Sequence, residues 1–217
     1  LGLGDKLNRN SPEYVILPSG AEVEHIEVSR YSSCMLLKNG SVMCAGSNSA
    51  LGNGATSNSN VSQFVSIPSG RTVVQISLGY WRTCGVLDNG SAMCWGSSYQ
   101  GGLGDGTSNS SNYPVYVQTP NGLDVKSISV GYSHTCMVLE NGGVSCWGEN
   151  GFGQLGDGSN NTSLSAVLVS LPSTVSADLV SAGYDFTCAA LDDETVRCWG
   201  KGQSGRLGNG QAYSTGD

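Results

Sequence analysis

Eight cysteines dominate the chemistry this sequence could perform. They form four pairs, Cys34 and Cys44, Cys84 and Cys94, Cys136 and Cys146, and Cys188 and Cys198, the members of each pair ten residues apart. Paired thiols can form a disulfide, share a metal, or stay reduced in a core. Ligands ten apart with no Cys-x-x-Cys fit no common zinc pattern, so no metal is expected. The midpoint of the first pair is Asn39, which makes Lys38-Asn39-Gly40 a three-residue hairpin loop with Gly40 at its left-handed position. Counting outward, Leu37 faces Ser41, Leu36 faces Val42, Met35 faces Met43 and Cys34 faces Cys44. Alternation makes the cysteines a non-hydrogen-bonded pair, with Cα atoms about 4.5 Å apart and within disulfide range. Asp88-Asn89-Gly90 and Glu140-Asn141-Gly142 give the same count. Asp192-Asp193-Glu194 lacks the glycine, and its turn is expected to differ or to carry strain. The expectation is four disulfides, one per hairpin, with buried thiols as the rival reading. Each closes a short loop and stabilises by about 3 kcal/mol or less. Disulfides imply an extracellular or periplasmic address, or a secretory lumen.

The other candidate chemistry is thin. There are two histidines, His25 and His134, and neither a Gly-x-Ser-x-Gly elbow nor a phosphate loop, so no enzymatic activity and no cofactor are expected. Asp105 and Asp157 lie in Leu-Gly-Asp-Gly runs that lack the alternating ligands of a calcium loop and read as turns. The informative positions lie three and two residues before the first cysteine of each pair: Tyr31-Ser32, Trp81-Arg82, Ser133-His134 and Asp185-Phe186. They are expected at the bend between two strands, on one rim of the molecule. Tyr31, Trp81, Arg82, His134, Asp185 and Phe186, together with Tyr99 and Phe152 from glycine-rich loops, are the candidate partner-binding residues. Aromatic residues and arginine dominate binding hot spots.

A repeat must position all of these. Leu-Gly-(Asp/Asn) falls at Leu3, Leu51, Leu103, Leu155 and Leu207, at intervals of 48, 52, 52 and 52 residues. The first cysteines fall at intervals of 50, 52 and 52. The expected organisation is one repeat domain over 1–217, with units near 3–50, 51–102, 103–154 and 155–206, and 207–217 opening a further unit. Within a unit the apolar period is two, as in Val73–Leu78, Val125–Val130 and Pro114–Val117. One strand is expected before each Leu-Pro or Ile-Pro mark (Leu17-Pro18, Ile67-Pro68, Leu171-Pro172), one after it, and two bearing the cysteines. Four short strands per ~50 residues give an all-β fold, a β-propeller of four-stranded blades. Trp95, Trp147 and Trp199 recur at one position and are expected to pack between blades.

Composition fits. There are 32 glycines in 217 residues, and charged residues make up only 12%, as suits many turns between short strands. The net charge is -7 and the ten basic residues are scattered, which argues against nucleic acid as a partner. No apolar run approaches the ~18 residues of a membrane helix, so no membrane insertion is expected.

The run Gly131-Tyr132-Ser133-His134-Thr135-Cys136, then Cys146-Trp147-Gly148 and Gly153-Gln154-Leu155-Gly156-Asp157-Gly158, resembles the regulator of chromosome condensation repeat, and most closely its Cys-paired, exported bacterial-type branch. The resemblance runs through the chain and implies a β-propeller, usually of seven blades. The first unit departs from the pattern: Ser29 replaces the glycine, Ala45 the tryptophan, and Ser47–Ala50 is two residues short. Four complete repeats leave a part of a longer propeller, a small or open ring, or chains that complete one another. The exchange activity of the nuclear family member is not implied, because it depends on surface loops rather than on the fold. The expected function is an extracytoplasmic, non-enzymatic module that binds protein through one rim. The alternatives are a self-assembling protein whose partner is its own copies, joined edge to edge, and a carbohydrate-binding propeller that stacks sugars on Tyr99, Trp81 and Phe152.

Overall fold

The computed structural model describes residues 2–210; the greater part of the expected further unit, 211–217, lies outside them. Four antiparallel sheets follow one another along the chain. The first is β1 (Val23–Val28), β2 (Ser32–Leu37), β3 (Val42–Gly46) and β4 (Ser59–Phe64). The second is β5 (Val73–Leu78), β6 (Arg82–Leu87), β7 (Ala92–Gly96) and β8 (Ser111–Tyr116). The third is β9 (Val125–Val130), β10 (His134–Leu139), β11 (Val144–Gly148) and β12 (Ser163–Leu168), and the fourth is β13 (Ala177–Ala182), β14 (Phe186–Leu191) and β15 (Val196–Gly200). Among the described residues the fourth sheet has three strands. Each complete sheet is a simple meander and straddles a Leu-Gly mark. Among the described residues no strand forms before Leu17-Pro18, contrary to expectation, because the first sheet's four places are filled by β1 to β4; only an isolated bridge joins Leu3 to Val61.

The cysteine hairpins pair in the counted register. Cys34, Cys84, Cys136 and Cys188 oppose Cys44, Cys94, Cys146 and Cys198. All four pairs are disulfides, with Cα atoms 4.0–4.1 Å apart. Gly40, Gly90 and Gly142 take φ of 77–80° in the hairpin loops, and Glu194 takes the same left-handed place at φ 62°. The fourth hairpin therefore keeps the turn and accepts a side chain in a conformation that glycine holds more cheaply. The hydrogen bond from Leu191 N–H to Thr195 and the Asp193 carboxylate on Thr195 N–H hold the ends of that loop.

Three apolar cores lie between successive sheets, not within them. The cysteine face of one blade meets the tryptophan face of the next. Cys84, Val86, Ala92 and Cys94, for example, pack on Ile128, Met137, Leu139 and Trp147. Each indole then reaches back across the seam. Trp95 Nε1 donates to Ala50 O, Trp147 Nε1 to Gly102 O and Trp199 Nε1 to Gln154 O, at 2.9–3.0 Å. Glycine is needed beneath the ring: a Cβ on Gly52, Gly104 or Gly156 would lie 2.6–2.8 Å from the indole nitrogen. The Leu-Gly marks are therefore seats for the next blade's tryptophan. This corrects the first mark. Gly2, not Gly4, takes that place, facing Ala45 where the tryptophan is missing, and Gly4 hydrogen-bonds Asn60 as Gly54 does Asn112. The first interval is then 50 residues and agrees with the cysteines.

Along the inner strands β5, β9 and β13, side chains fasten one blade to the backbone of the next. The Gln75 amide bonds both Ile128 N–H and Ile128 C=O, Ser77 Oγ accepts from Val130 N–H, and Ser129 Oγ accepts from Ala182 N–H. In β1 the same places hold His25 and Glu27, which bond each other instead.

The structure buries three of the candidate binding residues. Arg82, His134 and Asp185 are 2%, 0% and 5% exposed. Arg82 and His134 open β6 and β10 two residues before a cysteine, and alternation turns them to the cysteine's face, into the seam. His134 Nε2 shares a 2.8 Å hydrogen bond with Thr187 Oγ1 of the next blade. Burial first, and the Arg82 charge second, push the imidazole down to about 4. Arg82 lies against Gly102. None of its guanidinium nitrogens meets an acceptor among the described residues, and burial lowers it to about 10. Asp185 is held by Lys201, Nζ to Oδ2 at 3.3 Å.

Two predictions come from buried His134 and Arg82. His134 binds its proton less well folded than unfolded, so its contribution is intact above pH 6.5 and fades as the pH falls toward 4. That loss amounts to about 3 kcal/mol. Urea unfolding at pH 7 and pH 4 should show the loss in the native chain and a flatter dependence in His134→Phe, which carries blade four's residue. Arg82→Leu should stabilise the fold by about 1–3 kcal/mol, because an uncompensated buried charge gives way to an apolar side chain. Guanidinium unfolding midpoints read this directly, and a loss of equal size would mean that the charge is compensated within the seam.

Candidate functional site

The turn from the first strand of each sheet into the second brings side chains of neighbouring blades side by side on one rim. Its residues run Arg30-Tyr31, Tyr80-Trp81, Tyr132-Ser133 and Tyr184-Asp185. The seam bonds hold the inner strands at a fixed stagger, so these turns line up. The result is a continuous aromatic band. Tyr132 and Tyr184 stack with centroids 3.9 Å apart and planes 15° apart. Tyr80 tilts against Tyr132 at 4.8 Å and meets Trp81 edge-on at 4.5 Å. Trp81 lies 5.2 Å from Tyr31, which is 5.5 Å from Tyr80. Such pairs are worth about 0.5–1.5 kcal/mol each beyond their burial.

The band is neutral but has charged ends. The Tyr184 phenol is pushed up to about 12, first by its hydrogen bond with Tyr132 and then by burial. Tyr80 is raised as well, first by its hydrogen bond with Tyr31. At one end the Arg30 guanidinium lies 5.1 Å from the centre of the Tyr80 ring and 5.2 Å from that of Tyr31, and it donates to the Tyr80 hydroxyl. At the other end Lys201 Nζ lies 4.3 Å from the centre of the Phe152 ring while it holds Asp185.

Trp81 is a wall of two of the grooves that open on the band. One, of about 670 Å³, is lined by Tyr31, Trp81, Ser47, Asn58, Asn60 and Asp5 among others. The other, of about 640 Å³, is lined by Trp81, Tyr99, Tyr132, Phe152 and Tyr184, with Ser97, Glu149 and Asp185. Among the residues expected at a binding rim, the structure brings Tyr31, Trp81, Tyr99 and Phe152 to these grooves, 38–60% exposed. Asp185 lines the second groove from beneath. Phe186 is half-buried, with the Arg206 guanidinium 5.7 Å from its ring centre. Arg82 and His134 line neither groove.

Sequence reasoning missed Tyr80, Tyr132 and Tyr184. They recur as Gly-Tyr in three units, and a recurrent residue reads as structural. The signal was nonetheless there: a large polar aromatic four residues before a cysteine, directly after a glycine, falls in the turn and not in the strand. Among the described residues no cluster of three or more His, Cys, Asp or Glu is arranged to hold a metal, and no helix is long and apolar enough to cross a membrane.

Comparison with known proteins agrees with this architecture. Two sequence profiles of the regulator of chromosome condensation (RCC1) repeat match. One covers residues 73–101, 125–154 and 178–206, the other 89–138 and 141–190. The ultraviolet-B receptor UVR8 of Arabidopsis thaliana is 34% identical over 110 residues, which is 51% of this chain and 25% of the receptor. The human WBSCR16 structure superposes with a TM-score of 0.85 at 19% identity, over 98% of this chain and 57% of that one. Yeast RCC1 (Prp20), crystallised bound to Kap60, gives a TM-score of 0.71 at 21% identity, over 84% of this chain and 42% of that one. The chain thus spans about half the length of these solved propellers and a quarter of the receptor. With repeat matches running in register from residue 73 to residue 206, on the blades of an RCC1-type propeller, this chain belongs to the regulator of chromosome condensation repeat family.

Proposed function

We propose that this chain is a protein-binding module whose contact surface is the aromatic rim. The observation that carries the reading is the unbroken band Tyr31–Tyr80–Trp81–Tyr132–Tyr184 beside two open grooves. Rigid aromatic side chains lose little entropy on binding and bury large areas, so they anchor interfaces. Yeast RCC1, which shares the fold, is bound to Kap60 in its crystal structure. Four disulfides support an extracytoplasmic setting, extracellular or periplasmic, in which such a module would work without a catalytic role of its own. The rim residues proposed for contact are Tyr31, Trp81, Tyr99 and Phe152, joined by Tyr80, Tyr132 and Tyr184.

The test is selection from a random-peptide display library on the immobilised chain, with a glycan array and concentration-dependent light scattering run alongside. The expected result is enriched peptides whose binding falls at least about tenfold in Trp81→Ala while the solution size stays constant, as for the loss of a hot-spot anchor. Enrichment indifferent to Trp81→Ala would overturn the rim as the contact surface. Glycan binding lost in Tyr99→Ala would replace the reading with a lectin. Size that rises with concentration in place of any peptide binding would replace it with self-assembly.

A further inference from the structure

The second groove has a composition that its neighbour lacks: five aromatic rings around two carboxylates. Ring faces carry negative quadrupole, so a cation enclosed by several of them gains from each, and a carboxylate at the wall adds a charge-assisted hydrogen bond. The molecule already displays this chemistry at both ends of the band with its own residues. Lys201 places an ammonium 4.3 Å from the centre of the Phe152 ring and 3.3 Å from Asp185 Oδ2. Arg30 does the same for Tyr80 and Tyr31. Lys201 reaches the groove only at Phe152 and Asp185, and the rings of Trp81, Tyr99, Tyr132 and Tyr184 meet no cation among the described residues. Glu149, half-buried in its wall, forms no ion pair among the described residues.

We infer that this groove takes a cationic side chain, lysine or arginine, presented by a basic peptide segment of a partner. The inference rests on the protein-binding reading and adds the partner's chemistry to it. Glu149 would supply the counter-ion, Trp81 and Tyr184 the ring faces, and Tyr132 and Phe152 the remaining walls. The net charge of -7 would draw such a segment to the surface, while the ring faces would hold it. Lys201 is then a resident competitor at the margin, since it already uses Phe152 and Asp185.

The test titrates the full chain with hexaarginine and hexalysine, with hexaglutamate as control, following NMR shifts and the fluorescence of the exposed Trp81. Expected are saturable shifts at Trp81, Tyr132 and Phe152 with the basic peptides alone. Glu149→Gln should weaken binding about tenfold, the worth of one charge-assisted contact. Glu13→Gln, which removes the same charge at a remote exposed position, should leave it within about twofold. Lys201→Met should tighten it several-fold by freeing Phe152 and Asp185, a gain that a merely destabilised variant cannot produce. Equal weakening by Glu149→Gln and Glu13→Gln would reduce the effect to net charge and overturn the site, as would shifts that bypass the groove. If display selects peptides that depend on Trp81 but lack basic residues, the cation site falls and the protein-binding rim stands. If nothing selected depends on Trp81, both fall.

Discussion

The bond from each indole nitrogen to the loop carbonyl of the preceding blade is the constraint on which the rest of this structure depends. A four-stranded sheet with apolar side chains on both faces cannot bury them alone, and it becomes stable only when another sheet covers each face. The tryptophan does two things at that contact. It fills the seam with the largest side chain available, and its N–H fixes where along the strand direction the two blades meet. A purely apolar seam would tolerate sliding. A buried indole N–H that must find one carbonyl does not, because leaving it unpaired costs on the order of 1–3 kcal/mol. The glycine beneath the ring is the other half of the fit, since any Cβ there would strike the indole.

The seams are nevertheless unequal. Those joined through Trp147 and Trp199 also carry the side-chain bonds of Gln75, Ser77 and Ser129 along the inner strands. The seam closed by Trp95 lacks them, because β1 supplies His25 and Glu27, which engage each other. Nearest-neighbour stability in a repeat protein is a sum over such seams, so the first blade is held less firmly than those that follow. The seam between the second and third blades carries an opposing term, the unmatched guanidinium of Arg82.

Much of this was legible in the sequence for a physical reason: hairpin geometry is local. Ten residues between cysteines, a glycine in three of the four turns and period-two alternation fix the register with no reference to the rest of the fold. Neighbour relations between blades were legible only where the repeat was intact. In the first unit, where Ala45 replaces tryptophan, the Leu3-Gly4 mark falls two residues late, since Gly2 and not Gly4 takes the tryptophan seat. The rim residues show a subtler failure. Arg82 and His134 were treated as turn residues because of their chemistry, yet their distance of two from a buried cysteine puts them on its face of the strand. Alternation, applied one residue further, separates the inward pair Arg82 and His134 from the outward Tyr31 and Trp81.

The tyrosines that sequence reading passed over connect the seams to the surface. Recurrence usually marks a core residue, but Tyr80, Tyr132 and Tyr184 recur while keeping their rings at the rim. Each is held by a tyrosine of an adjacent blade. Such stacking exists only if adjacent blades keep one stagger, which the indole bonds and the Gln75, Ser77 and Ser129 contacts impose. The band is therefore a readout of the seams, neutral because its raised phenols keep their protons and bounded where Arg30 lies against Tyr31 and Tyr80. A seam that slid along the strand direction would carry each tyrosine away from its neighbour and scatter the rings. The rim thus inherits its rigidity from packing that lies beneath it.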